Sequence, residues 1–172
     1  MEARMKKRIY HKVDSGHYHA DACVIWCFDA RFDDRFNKKE LSLYEKFCKN
    51  HGFKKVDPVF IAGGVKALAS PVDWWETEFV LRQIAKSVLL HDAKMIVLKD
   101  HVECGDYGRH FQSKSDAKKF YSNELKKGKK TVVAFLKSKK LKKFLKEKGV
   151  KRNTNKPVHL YYADFSGMHH IT

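Results

Sequence analysis

Four short apolar runs punctuate the chain, with longer stretches of helical spacing between them. Ala22-Cys23-Val24-Ile25-Trp26-Cys27 is the first, residues 56–61 the second, Met95-Ile96-Val97-Leu98 the third and residues 158–163 the fourth. Runs this short, rich in β-branched and aromatic residues, predict buried strands. Between the first two, Leu41, Tyr44, Phe47, Cys48 and His51 recur at helical spacing, and Gly52 suits a C-cap. Residues 71–91 predict a long helix with Asp73 as its cap and Glu76 three residues on. Its apolar face is expected to hold Trp75, Phe79, Leu81, Ile84, Val88 and Leu89, with Trp74 and Trp75 in the core or a subunit contact. Two further helices are expected over 115–127 and 131–148, the second with Val132, Phe135, Leu136, Leu141, Phe144 and Leu145 inward and lysines outward. Alternating strands and helices of these lengths argue for right-handed crossovers and a parallel sheet. The expected fold is a three-layer α/β domain. Its mostly parallel sheet has four to five strands flanked by helices, with the last strand, 158–163, a candidate for an antiparallel edge.

At 172 residues the chain suits one domain, taken as 19–172 after a basic arm of 1–18. No apolar stretch is long enough to span a bilayer, and residues 1–13 are too basic and polar for a signal peptide. A cytoplasmic protein is therefore expected, with Cys23 and Cys48 as buried free thiols beside the chemically used Cys27 and Cys104. Lys plus Arg is 36 against 20 Asp plus Glu, a formal +16. The excess gathers after residue 113, in Lys126-Lys127-Gly128-Lys129-Lys130 and across 137–148. Such a balance attracts polyanions, nucleic acid among them, with steep salt dependence. No nucleic-acid motif accompanies it, and a solvated lysine face is the plainer reading. Ala62-Gly63-Gly64 lacks the spacing and the Lys-Ser/Thr of a phosphate-binding loop.

The chemistry concentrates at two strand ends. After the first strand come Cys27, Asp29 and Arg31 at alternate positions; after the third comes Lys99-Asp100-His101-Val102-Glu103-Cys104-Gly105. Open α/β sheets place their sites at the carboxyl ends of the strands. Adjacent parallel strands would bring Cys27, His101 and Cys104 together, and two sulfurs with one nitrogen suit Zn²⁺. The fourth position is left for water or for Asp29; four protein ligands would instead make a closed, structural site. His17, His19 and His110 are weighed as groups near that site, with ordinary exposed roles the plainer reading. Asp33 and Asp34 are given salt-bridge or helix-start roles.

Cys-x-Asp-x-Arg after one strand and His-x-x-Cys-Gly after a later one resemble the β-class carbonic anhydrases. Val158-His159-Leu160-Tyr161-Tyr162-Ala163-Asp164 before Ser166-Gly167 is similar to that family's last strand, so the resemblance runs sparsely from about Ala20 to the C-terminus. Asp100 stands where the family usually has glycine, and Ile61 precedes the glycine turn where an Arg-Asn pair is usual. The resemblance implies a zinc-dependent lyase that hydrates CO₂ reversibly to bicarbonate, and a homodimer. It implies zinc held by Cys27, His101 and Cys104. It further implies that Arg31 holds the Asp29 carboxylate off the metal, so that Asp29 orients the zinc-bound hydroxide. Two alternatives stand beside it: a catalytically silent zinc-binding relative, and a polyanion-binding protein working through the lysine-rich helix.

Overall fold

The structure is a computed structural model and describes residues 16–32 and 40–172. Most of the basic arm, together with Asp33 and Asp34, lies outside the described residues. In order the elements are β1 (Ala22–Trp26), α1 (Leu43–Asn50), β2 (Val56–Phe60), α2 (Lys66–Ala69), α3 (Trp74–His91), β3 (Ile96–His101), α4 (Lys114–Lys137), α5 (Lys139–Glu147), β4 (Val158–Asp164) and β5 (Gly167–Ile171). They build one five-stranded sheet of order β2-β1-β3-β4-β5. β1 pairs in parallel with β2 and β3, β3 in parallel with β4, and β5 closes the edge antiparallel to β4.

The two-residue period of a strand sorts the core into two layers of contact. Ala22, Val24 and Trp26 of β1 face Tyr44 and Phe47 of α1. Cys23, Ile25 and Cys27 face the other way, towards the core that Ile84 and Val88 of α3 share with Tyr121, Leu125 and Val132 of α4. This is the expected three-layer α/β arrangement, with the heavier helical layer on the Cys27 side.

Four local expectations change in detail. β4 is parallel and internal; the antiparallel edge is β5, which the sequence pattern did not single out because Gly167-Met168-His169-His170-Ile171 shows no clean alternation. The Phe165-Ser166 turn creates it, with Asp164 Oδ1 accepting the Ser166 N–H at 2.8 Å. Helix α4 runs unbroken through Gly128, whose missing Cβ would overlap Val65 Cγ2 of the segment leading into α2. The break comes instead at Ser138, whose hydroxyl accepts the Leu141 N–H at 3.1 Å and starts α5. At the start of α3 Asp73 makes no capping bond, and Glu76 accepts the Val72 N–H at 2.9 Å. The buried face of α3 is Val80, Ile84, Ala85 and Val88, whereas Trp74 is 78% exposed and Trp75 55%. Both tryptophans are thus excluded from the core; 100° per residue carries Trp75 away from the stripe that meets the sheet.

Asp21, just before β1, ties three segments together. It accepts the Lys54 and Lys55 N–H groups at 2.8 and 3.2 Å and the Lys94 ammonium at 2.8 Å. The Lys94 bond first, then those amides, lower its pKa to about 2. A depressed folded-state pKa contributes stability above the unfolded value near 3.8, lost as pH falls towards 2. Asp21→Asn is expected to flatten the fall of melting temperature over that window; an unchanged acid profile would show that the carboxylate does not couple to folding.

Candidate metal centre

Strand register builds the site. Ile25 of β1 lies opposite Leu98 of β3, so two residues further along Cys27 comes abreast of Asp100 and His101. Cys27 is the first residue past β1, and His101 is the last of β3. Beyond it the chain turns at Glu103, whose φ of 54° is left-handed, and returns Cys104 to the same point. The Cys104 N–H is held by the buried Tyr121 hydroxyl at 3.2 Å.

Cys27, His101 and Cys104 are all buried, and their ligand atoms lie within 4.8 Å of one another. The two sulfurs are 4.0 Å apart. Tetrahedral ligation at about 2.3 Å per Zn–S bond separates two sulfurs by about 3.7 Å, so the pair needs little movement. His101 Nδ1 lies 2.9 Å from the Val102 carbonyl, to which it donates in that tautomer. Its Nε2 then carries a bare lone pair, and no hydrogen-bond partner meets that buried atom. An imidazole fixed through Nδ1 with Nε2 left open is the form a metal ligand takes. The Cys104 thiol beside Cys27, with help from His101, pulls the Cys27 pKa below the ordinary thiol range. The same contact pushes Cys104 up, because a thiolate already sits beside it. The donor set therefore fits a soft or borderline divalent ion.

Asp29 lies at the rim. Its Oδ2 is 3.8 Å from His101 Nε2, yet Asp29 is not part of the cluster in which every ligand atom is close to every other. Arg31 grips it: Nη2 to Oδ2 at 2.7 Å, Nε to Oδ1 and Oδ2 at 3.1 and 3.2 Å, and the Arg31 N–H to Oδ1 at 3.0 Å. That grip, the guanidinium bonds first, keeps the Asp29 pKa below the usual carboxylate range. Arg31 is itself held across the gap by the Glu103 carbonyl at 2.9 Å and the Glu103 carboxylate at 3.4 Å. Phe32 packs its ring 4.5 Å from the His101 ring and 5.5 Å from that of Phe165, forming an apolar wall.

Several supporting residues carry no sequence signal. Tyr107 donates to Asp100 Oδ2 at 2.8 Å, and Asp100 Oδ1 accepts the His101 N–H at 2.9 Å. Burial raises the Asp100 pKa, so this acid where glycine is usual in the resembling family is a hydrogen-bonding strut. The buried Lys99 lays its ammonium 3.0 Å from the centre of the Trp26 ring. Lys66 clamps the loop after Cys104 through the Asp106 carbonyl at 2.6 Å and its carboxylate at 3.1 Å. His17 and His19 precede β1, at the opposite end of the sheet from the cluster, and are exposed, as is His110. They keep the plainer roles.

The glycine turn supports Cys27 by proximity. Gly64 has φ 54°, and a Cβ there would stand 2.8 Å from the Lys99 carbonyl oxygen and 3.1 Å from the Cys27 nitrogen. Neither backbone atom can yield without shifting a strand end. Gly64→Ala is expected to cost about 2–4 kcal/mol by combining a left-handed backbone with overpacking. Thermal unfolding checks this, and a variant as stable as the parent would refute the close approach.

The arrangement defines a class: an open, mostly parallel α/β sheet that gathers two cysteines and a histidine at the ends of neighbouring strands. Solved structures to which the chain bears a distant similarity include β-class carbonic anhydrases. A carbonic anhydrase from Glaciozyma antarctica superposes with a TM-score of 0.49 at 16% identity, covering 91% of this chain and 84% of that one. The β-carbonic anhydrase isoform I of Trichomonas vaginalis gives 0.49 at 14%, with 94% and 86% covered. The Streptococcus mutans carbonic anhydrase gives 0.46 at 14%, with 91% and 84% covered. Each TM-score is below 0.5, so these likenesses say nothing of what the site does. No family model matches the sequence, and no curated protein matches it.

Proposed function

We propose that this chain is a zinc-dependent lyase that interconverts CO₂ and bicarbonate, with Cys27, His101 and Cys104 as ligands and Asp29 and Arg31 as the working pair. The observation that carries the reading is the unpartnered His101 Nε2 facing two thiols, beside a carboxylate that a guanidinium holds aside. Zinc bound there would supply a Lewis acid that brings the pKa of water towards neutrality. The chain's own residues do the rest. Asp29, kept ionised by Arg31, accepts a hydrogen bond from the attacking water and aims its lone pair at carbon. Its lowered pKa makes it a poor store for the released proton, which passes to solvent. Phe32 and Phe165 offer an apolar wall suited to an uncharged, linear substrate. The sequence resemblance to the β class supports the same reaction.

Metal analysis with stopped-flow CO₂ hydration tests the proposal. A hydration rate that rises with zinc content and vanishes with a chelator supports it. Full zinc occupancy with no rate above buffer sinks it, and leaves the silent zinc-binding protein with Asp29 as closing ligand. The proposal extends to a cytoplasmic homodimer: no helix of the described residues is long and apolar enough to cross a membrane, and Val72, Trp74, Trp75 and Phe79 are exposed for a subunit contact. Sedimentation of the purified chain as a monomer would remove the dimer.

A further inference from the structure

We infer that the outer face of α4 and α5 binds the phosphate backbone of a nucleic-acid duplex without regard to sequence. From Lys114 to Lys151 the chain carries 15 lysines against 3 acids, Asp116, Glu124 and Glu147, so 12 of the formal 16 positive charges sit in this one segment. Of the acids, Glu124 is buried and neutralised by Lys127, and Glu147 lies beside Lys143. Helical geometry then organises the lysines. Lys119, Lys126, Lys130 and Lys137 are spaced seven, four and seven residues apart, so they fall along one ridge of α4 about 27 Å long. All four are exposed, and none forms an ion pair with a described residue. In α5, Lys139, Lys142, Lys143 and Lys146 are exposed. Lys142, Leu145 and Lys146 of α5 and Val150, Lys151 and Arg152 just past it line a cleft of about 490 Å³.

Three observations choose the occupant. The apolar residues of α5 are already used: Leu141 and Leu145 are buried in the core, so the helix has no free apolar face to lay into a bilayer. Protein interfaces depend on aromatic and apolar anchors, and the large exposed apolar residues lie at strand ends, before α1 and on or beside α3, with none on α4 or α5. The same absence removes the stacking platforms that single strands require. Apart from Asn123, which stands between Lys119 and Lys126, the ridge is built of lysines, whose ammonium groups contact phosphates as point charges. A duplex, with one charge per about 1.7 Å of axis, matches a long ridge of fixed positive charge. The surface belongs to different elements from those that carry the ligands, so duplex binding stands or falls separately from the lyase.

The test uses the full chain and a short fluorescent DNA duplex titrated at several salt concentrations. Tight binding at low salt is expected, with log K falling linearly against log salt. A variant carrying Lys119→Gln, Lys126→Gln, Lys130→Gln and Lys137→Gln is expected to flatten that slope by about 3–4, near 0.9 for each phosphate no longer neutralised. Exposed positions keep that variant folded, which its melting curve verifies. A control with Lys46→Gln and Lys49→Gln on α1 should leave the slope unchanged. No binding at low salt, an unchanged slope in the quadruple variant, or an equal loss per lysine in the control would overturn the assignment. So would tighter binding of a single strand, or binding to anionic phospholipid vesicles in place of DNA.

Discussion

Cys104→Ser is expected to strip zinc from the protein and return CO₂ hydration to the buffer rate. A serine hydroxyl stays protonated where a thiol gives up its proton to a metal, so the variant keeps only Cys27 and His101. Loss of groups merely supporting a ligand weakens metal affinity by about 10–100-fold; loss of a ligand itself should exceed that. The fold should survive. Cys104 is 2% exposed, and the smaller serine leaves the Tyr121 bond to its backbone N–H intact. Burying the hydroxyl costs about 1–3 kcal/mol, which the melting temperature of the metal-free protein would report. Metal content after dialysis decides the matter, because full zinc occupancy in this variant would show that the ligand set is wrong.

The second large effect concerns the pair at the rim. Arg31→Ala and Asp29→Ala are each expected to lower CO₂ hydration by about 100-fold or more, the scale on which a positioned proton acceptor acts, while zinc content stays at the parent level. The double variant should be no worse than either single one, since the two side chains form one unit through the 2.7 Å Nη2–Oδ2 bond. The routes differ. Without Asp29 the attacking water has no acceptor. Without Arg31 the carboxylate is released, and its Oδ2, already 3.8 Å from His101 Nε2, is free to close the site as a fourth ligand. In Arg31→Ala the carboxylate should therefore take the place of water at the fourth position, which water-proton relaxation of the cobalt-substituted variant would read as a loss of exchangeable solvent. Parent activity in Asp29→Ala would remove Asp29 from the mechanism.

Much of this was legible along the chain. Apolar runs ending in Cys27 and in Lys99-Asp100-His101 marked two strands and the ends at which the candidate site lies, because a buried strand needs continuous apolar character and its first polar residues face the crevice. Spacing marked α1 and α3, since burial on one face imposes a 3.6-residue period. Where several structures satisfied the same local pattern, the reading drifted. The pattern divided residues 115–148 into two helices parted at 128–130, whereas α4 runs on through Gly128 because it passes close over Val65, a contact that no local rule contains. Trp75 suited the core or a subunit contact because it is large and apolar, and the rotation of α3 on the sheet removes the first of these by facing it outward.

Amino-acid order alone pointed to the parallel α/β class, to Cys27, His101 and Cys104 as the three residues that meet at the strand ends, and to the gathering of positive charge between residues 114 and 151. These follow from composition and period, which are properties of neighbours in the chain. Only the folded molecule decided the rest: that β1 lies beside β3 in the register bringing Cys27 to His101, that Val102 takes the Nδ1 proton and leaves Nε2 bare, and that Glu103 reaches over to anchor Arg31. Each of these depends on residues tens of positions apart meeting within a few ångströms, and such meetings are set by how whole layers pack.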